Sequence, residues 1–280
     1  MLTDYHVHLR PDIWDSPAER YFTPANAERY RESAAEKGIA ELGVAEHIHR
    51  FTQALAIWEH PWWRQWAHDD VDAYCGFVRE ETDLRLGIEA DFVAGREDRI
   101  ANFLEAREWD YVVGSVHFLQ DRAVDMDGEW DLWGRGESPE RLWKRYFDTL
   151  AEAARSGLYD IMAHPDLVKI WGRRPPQGRP VPEGDPRRYY EPAIEAFADA
   201  GVAIEVSTAG LRKPVGRIYP ERDMLAMAVE AGVPVALSSD AHKPDQLGYG
   251  YDRALEFLAE AGVREICVFE GRERRLEPVG

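Results

Sequence analysis

Nine histidines are spread along the chain, and six fall at or just past the end of a short apolar run: His6, His8, His47, His117, His164 and His242. Acidic side chains share those places, with Asp4 and Asp12 around the first run, Glu46 and Glu89 at the next two, and Asp240 beside His242. Imidazole and carboxylate together suit Zn, Mn or Fe, whose mixed nitrogen and oxygen sites leave positions open for water. Each fragment alone is weak. His6-Val7-His8 and Asp240-Ala241-His242 recur in strands for packing reasons, Glu89 serves equally as partner to an arginine, and His164 before Pro165 suits a capped turn. Six histidines and several carboxylates at successive run ends are harder to reach by packing alone, and they point to a polynuclear metal site. Ser115 and Ser207 lack an Asp–His arrangement and are not read as nucleophiles. Cys75 and Cys267 have no partner at metal-ligand spacing and read as small buried apolar residues.

Residues so far apart in sequence meet only if the elements carrying them converge. Strand candidates are residues 3–8, 41–46, 85–90, 111–116, 159–163, 202–207, 233–238 and 265–269. They are apolar on both faces, as parallel strands covered by helices must be. Helices between them carry start and stop signals. Thr23-Pro24 opens one that Gly38 ends, Ser138-Pro139 opens another that Gly157 ends, and Gly201, Gly232 and Gly262 each stop a helical run before a strand. Seven or eight strand-then-helix units predict an α/β fold with a parallel TIM-type barrel, whose strand ends gather the histidines on one face. An open doubly wound sheet is the alternative, but no GxGxxG turn supports it.

Two insertions break the regularity. Residues 51–68 hold Trp58, Trp62, Trp63 and Trp66 beside His60 and His68, and residues 170–186 form a Pro/Gly/Arg-rich loop. Both lie on the strand-to-helix side, where barrels build active sites. With no repeat or linker in view, residues 1–280 read as one domain.

The 52 acidic against 34 basic residues leave a formal net charge of −18 over 280 residues. That field repels nucleic-acid backbones and anionic membranes, so neither is an expected partner. An anionic small molecule would need metals or local cations to override it. Two cysteines form no disulfide framework and favour a reducing compartment. No basic-then-apolar leader and no run of about 18 apolar residues is present, so the expected location is cytoplasmic.

The motifs DYHVH, AEH at 45–47, GIEAD around Glu89, GSVH ending at His117, AHP at 163–165 and SSDAH at 238–242 stand in the order of the PHP (polymerase and histidinol phosphatase) superfamily, which this chain resembles from Asp4 to about Gly248. Its length and the segment EVSTAGLRKP at 205–214 are most similar to the monofunctional histidinol-phosphate phosphatases. The resemblance implies a distorted (β/α)7 barrel holding three divalent metals, usually Zn, Mn or Fe. Carried over, His6, His8 and Asp240 would hold the first metal. Glu89 would bridge to the second, completed by His117 and His164, while His47 and His242 would hold the third. The family's ninth ligand follows His-x-His as His or Asp, but neither acid of LRPDIWDSP has the common spacing. Asp12, which follows a proline, is preferred to Asp15.

The implied activity is hydrolysis of a phosphomonoester, L-histidinol phosphate, by hydroxide held between metals and attacking phosphorus in line. Another phosphomonoester such as a nucleotide, sugar phosphate or phosphotyrosine is the alternative substrate. Glu89, Asp240 and His242 are the catalytic candidates, with the proton donor to the leaving group unassigned. Arg212 and Lys213, just past the sixth strand, are the phosphate-binding candidates, because arginine grips phosphate bidentately and the family places such an arginine here. Arg173, Arg174 and Arg179 read as surface. A substrate amine or imidazole would want carboxylates or aromatic faces, for which Glu46, Asp91 and the tryptophans of 58–66 are candidates. His49, His60 and His68 read as surface or lid residues. Oligomeric state is not legible.

Overall fold

The computed structural model describes residues 1–172 and 179–279. Its strands follow in chain order: β1 (Leu2–Asp4), β2 (Ile39–His47), β3 (Arg85–Asp91) and β4 (Tyr111–Ser115), then a small hairpin of β5 (Phe118–Leu119) and β6 (Arg122–Ala123). After these come β7 (Ile161–Met162), β8 (Ala203–Ser207), β9 (Val235–Ser238), β10 (Glu265–Glu270) and β11 (Glu273–Pro278). Seven of them form one parallel sheet in the order β1-β2-β3-β4-β7-β8-β9. The ring is nearly closed between its first and last strands by a single bridge, in which His8 N donates to Ala241 O at 2.7 Å. Parallel neighbours that follow each other in sequence require a crossover, and helices supply it. This is the expected barrel of seven strands.

The helix signals act as physical chemistry dictates. Thr23 accepts from Asn26 N at 3.2 Å and opens helix Pro24–Glu36. Ser138 accepts from Arg141 N at 3.4 Å and opens helix Pro139–Arg155. That helix buries Leu142, Trp143, Tyr146, Phe147 and Leu150 on one stripe, as an amphipathic helix on a barrel must. No helix among the described residues is long and apolar enough to cross a membrane.

Residues 265–269 do not form an eighth barrel strand. Here β10 pairs antiparallel with β11, and the hairpin covers the N-terminal end of the barrel, where Phe269 N donates to the Tyr5 hydroxyl at 3.2 Å. The run is apolar because it is buried under the barrel, and burial by a plug and burial by helices leave the same sequence pattern.

Side chains alternate along a strand, so residues two apart share a face. In β2 the set Gly43, Ala45, His47 shares a face; in β3 the set is Gly87, Glu89, Asp91; in β8 it is Ala203, Glu205, Ser207. Ala45, Tyr111, Val113, Ala203 and Ala236 belong to the same buried cluster, which is the lower barrel interior. A β-carbon at Gly43 or Gly87 would run into the Tyr111 ring, so these glycines make room for it. One turn of the pleat further along, the same inward face becomes charged.

Candidate metal centre

Glu89 sits at the hub of the upper barrel, fully buried. Its Oε2 lies 3.3 Å from His6 Nε2, 3.6 Å from His8 Nε2 and 2.5 Å from His47 Nδ1. Its Oε1 lies 3.2 Å from His164 Nε2 and 3.5 Å from His117 Nε2. The two oxygens therefore face two different sets of imidazoles. Asp240 Oδ1 is 3.8 Å from His6 Nε2, 3.5 Å from His8 Nε2 and 3.5 Å from His242 Nδ1. His242 Nε2 and His47 Nε2 face each other at 3.4 Å.

Potential ligand atoms gather in three groups within 4.8 Å of one another: His6, His8 and Asp240; His6, Glu89 and His164; His8, His47 and His242. His6 Nε2 and both ring nitrogens of His8 are buried without a hydrogen-bond partner. Leaving such nitrogens unsatisfied is costly, and a divalent cation fits a donor set of this kind. Divalent metals thus suit the residues present.

Electrostatics agree. Burial alone would raise the Glu89 carboxyl, but His47, His6 and His117 hold it well below its ordinary value. Burial would raise Asp240 as well, and the neighbouring His6, His8 and His242 hold it low. Burial and the neighbouring His8 push His242 down to about 3, and burial pushes His47 well down. Neutral imidazole is the form a metal needs. His6 and His117 go the other way: against burial, Glu89, Glu205 and Asp240 raise His6 well above its ordinary value, and Asp91 and Glu89 raise His117 to about 10.

A row of carboxylates stands behind the imidazoles. Glu205 Oε1 is 2.8 Å from His6 Nδ1 and accepts from Ser238 Oγ at 2.5 Å, while its Oε2 accepts from His164 N at 2.5 Å. Asp91 Oδ1 is 2.7 Å from His117 Nδ1. Carboxylates so placed fix the ring orientation and leave the other nitrogen for a metal. Glu205 is absent from the sequence reading, although a lone acid inside the apolar run AIEVS is the same signal that singled out Glu89. His164 and Asp240 both hold left-handed φ values, 25° and 50°, which non-glycine residues rarely adopt and which cluster at functional sites.

Other expected placements change. Asp91 and Glu46 are not open to a substrate. Asp91 faces His117, while Glu46 accepts from Leu9 N at 2.7 Å and lies 3.9 Å from Arg50 Nη1. His49 and His60 are buried rather than on the surface: His49 stacks between His47 (4.8 Å) and Trp62 (4.5 Å), and His60 Nδ1 accepts from Trp62 N. His68 is exposed. The aromatic insertion packs as a wall beside the mouth, with Trp63 fully buried and Trp62 5.6 Å from Phe118. Asp12 lies outside the three groups, exposed, with Oδ1 3.4 Å from Arg50 Nη2, although the charges of His242 and His8 still act on it. Asp15 is exposed beside Arg20. Arg212 Nη2 donates to Ser239 O and Asp240 O, both at 2.8 Å, and its Nη1 is buried without a partner. Lys213 is exposed, and its charge helps hold Asp240 and His242 low. Arg173 and Arg174 lie outside the described residues, and Arg179 pairs with Asp127 at 2.8 Å.

Residues 22–209 match the PHP domain family. The chain belongs to the PHP family. That match starts after His6 and His8 and stops before Asp240. The chain is 33% identical over 261 residues to the probable histidinol-phosphatase of Deinococcus radiodurans, covering 89% of this chain and 91% of that one. It is 26% identical over 247 residues to the histidinol-phosphatase of Bacillus subtilis, covering 81% and 91%. The PHP barrel superposes on the histidinol phosphate phosphatase of Lactococcus lactis, solved with zinc, L-histidinol and phosphate, with TM-score 0.69 at 18% identity over 98% of both chains.

Proposed function

We propose that this PHP-family chain, one domain over residues 1–280, is a phosphoric monoester hydrolase that converts L-histidinol phosphate to L-histidinol and phosphate in the cytoplasm. The observation that carries the reading is the Glu89 hub, whose two oxygens each face a separate set of imidazoles at the open end of the barrel. The named relatives, similar over nearly their full length, supply the substrate.

In this reading three divalent metals, Zn, Mn or Fe, would be held by His6, His8 and Asp240, by Glu89 with His117 and His164, and by His47 with His242. Asp12 would be the ninth ligand, as the family resemblance implies. Bound metals supply Lewis acidity that activates water and draws charge from phosphate oxygens. The protein does the rest. Glu205 keeps a proton on His6 Nδ1 and Asp91 keeps one on His117 Nδ1, so that the far nitrogen of each ring stays free to bind. Arg212, pinned to the backbone of the Asp240 loop, keeps Nη1 for a phosphate oxygen, and Lys213 adds positive charge at the mouth. Asp240 and His242 keep 11% and 14% of their side chains open and so border the space a substrate would enter.

The test is phosphate release from a panel of phosphomonoesters by metal-quantified enzyme. A kcat/KM for L-histidinol phosphate about 100-fold above every other ester, worth roughly 3 kcal/mol of recognition, is the expected result. A flat profile, or another ester ahead, would sink this substrate and leave a PHP phosphoesterase of different specificity.

A further inference from the structure

The proposed substrate is dipolar, with a phosphate at one end and a primary ammonium at the other. Arg212, Lys213 and the metals answer the phosphate. An anion must answer the ammonium, and the carboxylates around the mouth can be accounted for one by one. Glu89 and Asp240 face the imidazoles. Glu205 and Asp91 are hydrogen-bonded behind them. Asp166 pairs with Lys169 at 2.8 Å and accepts from Glu221 N at 2.8 Å. Asp12 sits beside Arg50.

Asp125 is different. Its Oδ1 is shut off from solvent with no hydrogen-bond partner, and no described cation lies within ion-pair distance of it. Burial pushes its carboxyl up, opposed by the charges of His117 and Lys213 and, more weakly, by its own backbone amide and His164. Asp125 follows directly on Val124, whose N donates to His117 O at 2.8 Å, so the chain brings it alongside the histidine just past β4. Its backbone is held firmly. Trp133 Nε1 and Trp171 Nε1 both donate to Val124 O at 3.0 Å. An unpaired carboxylate on a rigid support costs stability in the free enzyme and is satisfied when a cation arrives.

We infer that Asp125 is the specificity-determining carboxylate of this site, binding the ammonium group of an amino-alcohol phosphomonoester while Arg212 and Lys213 take the phosphate. The inference rests on the function proposed above.

The experiment compares wild type with Asp125→Asn, reading metal content, kcat and KM for L-histidinol phosphate and for p-nitrophenyl phosphate, and inhibition by L-histidinol and by inorganic phosphate. Loss of one charge-assisted hydrogen bond should lower the ratio of the two kcat/KM values by about 100-fold, chiefly through KM for L-histidinol phosphate. L-Histidinol inhibition should weaken far more than phosphate inhibition, and Asp125→Glu, which keeps the charge, should recover part of the loss. A second measurement needs no variant: wild type should lose a similar factor on histidinol phosphate acetylated at its amine. A wild-type preference that survives both Asp125→Asn and acetylation overturns this inference alone. Equal losses on both esters also overturn it, because they would place Asp125 in metal retention or chemistry. A wild type without preference for L-histidinol phosphate overturns the functional reading and this inference with it.

Discussion

The two ends of one barrel are built from the same strands and obey opposite rules. At the N-terminal end the interior is filled by Tyr5, Tyr111 and Phe269, with ring centroids 4.9 Å and 5.6 Å from Tyr5, and sealed by the β10–β11 hairpin. Dense packing there stabilises the fold through buried area and aromatic contact. At the C-terminal end the same inward positions carry His47, Glu89 and Glu205, with ring nitrogens of His6 and His8 buried and unpaired. That end lowers stability until something binds. A barrel can carry such a site because its other end is packed so tightly, and strain at functional sites is borne by the surrounding structure.

The contrast breaks most sharply at Glu89. Glu89→Gln removes the charge that faces five imidazoles, and phosphatase activity should fall by roughly 10³-fold or more with loss of bound metal. Circular dichroism should remain that of a folded barrel; collapse of the fold would show that the two ends are not separable. The mirror experiment is Tyr111→Ala, which empties the lower interior and should cost about 3–5 kcal/mol in urea unfolding. Metal stoichiometry of the folded fraction should hold, and a variant that keeps its stability would refute the packing role given to that end.

Glu205→Gln probes the support behind the ligands. Metal affinity, read by competition with a chelator, should drop by about 10- to 100-fold while the unfolding midpoint of the metal-free protein moves little. An unchanged affinity would make Glu205 a packing residue only. The smallest effect concerns Cys267 in the sealing hairpin, whose thiol burial pushes up to about 12. It should resist thiol reagents at pH 8 until the chain unfolds, and rapid labelling of the native protein would mean that the hairpin opens.

Much of this was readable beforehand because strands and metal chemistry leave distinct marks. Thr23-Pro24 and Ser138-Pro139 mark helix starts through local hydrogen bonding, which depends on neighbours in sequence alone. The histidines at run ends were legible because few other reasons place imidazole there repeatedly. The strand at 265–269 is legible, but not its place under the barrel, since an apolar run reports burial and not what buries it. His49 and His60 were taken for surface residues because the Trp-rich segment that covers them folds back from 58–66. Asp12 is preferred because it follows a proline, and that neighbour does not say which way a loop turns.

The residue types at the strand ends, the alternation that puts Gly87 and Glu89 on one face, and the punctuation between helices are properties of the sequence itself. They follow from local sterics and from the period of a strand, and they determine an α/β barrel with a metal-binding end. Which carboxylate stands behind which imidazole was decided only when β3, β4 and β8 came together. So was the pinning of Arg212 to the Asp240 loop. Those contacts join residues dozens to hundreds of positions apart, and their free energies depend on burial and on distances of a few ångströms, quantities that exist only in the closed barrel.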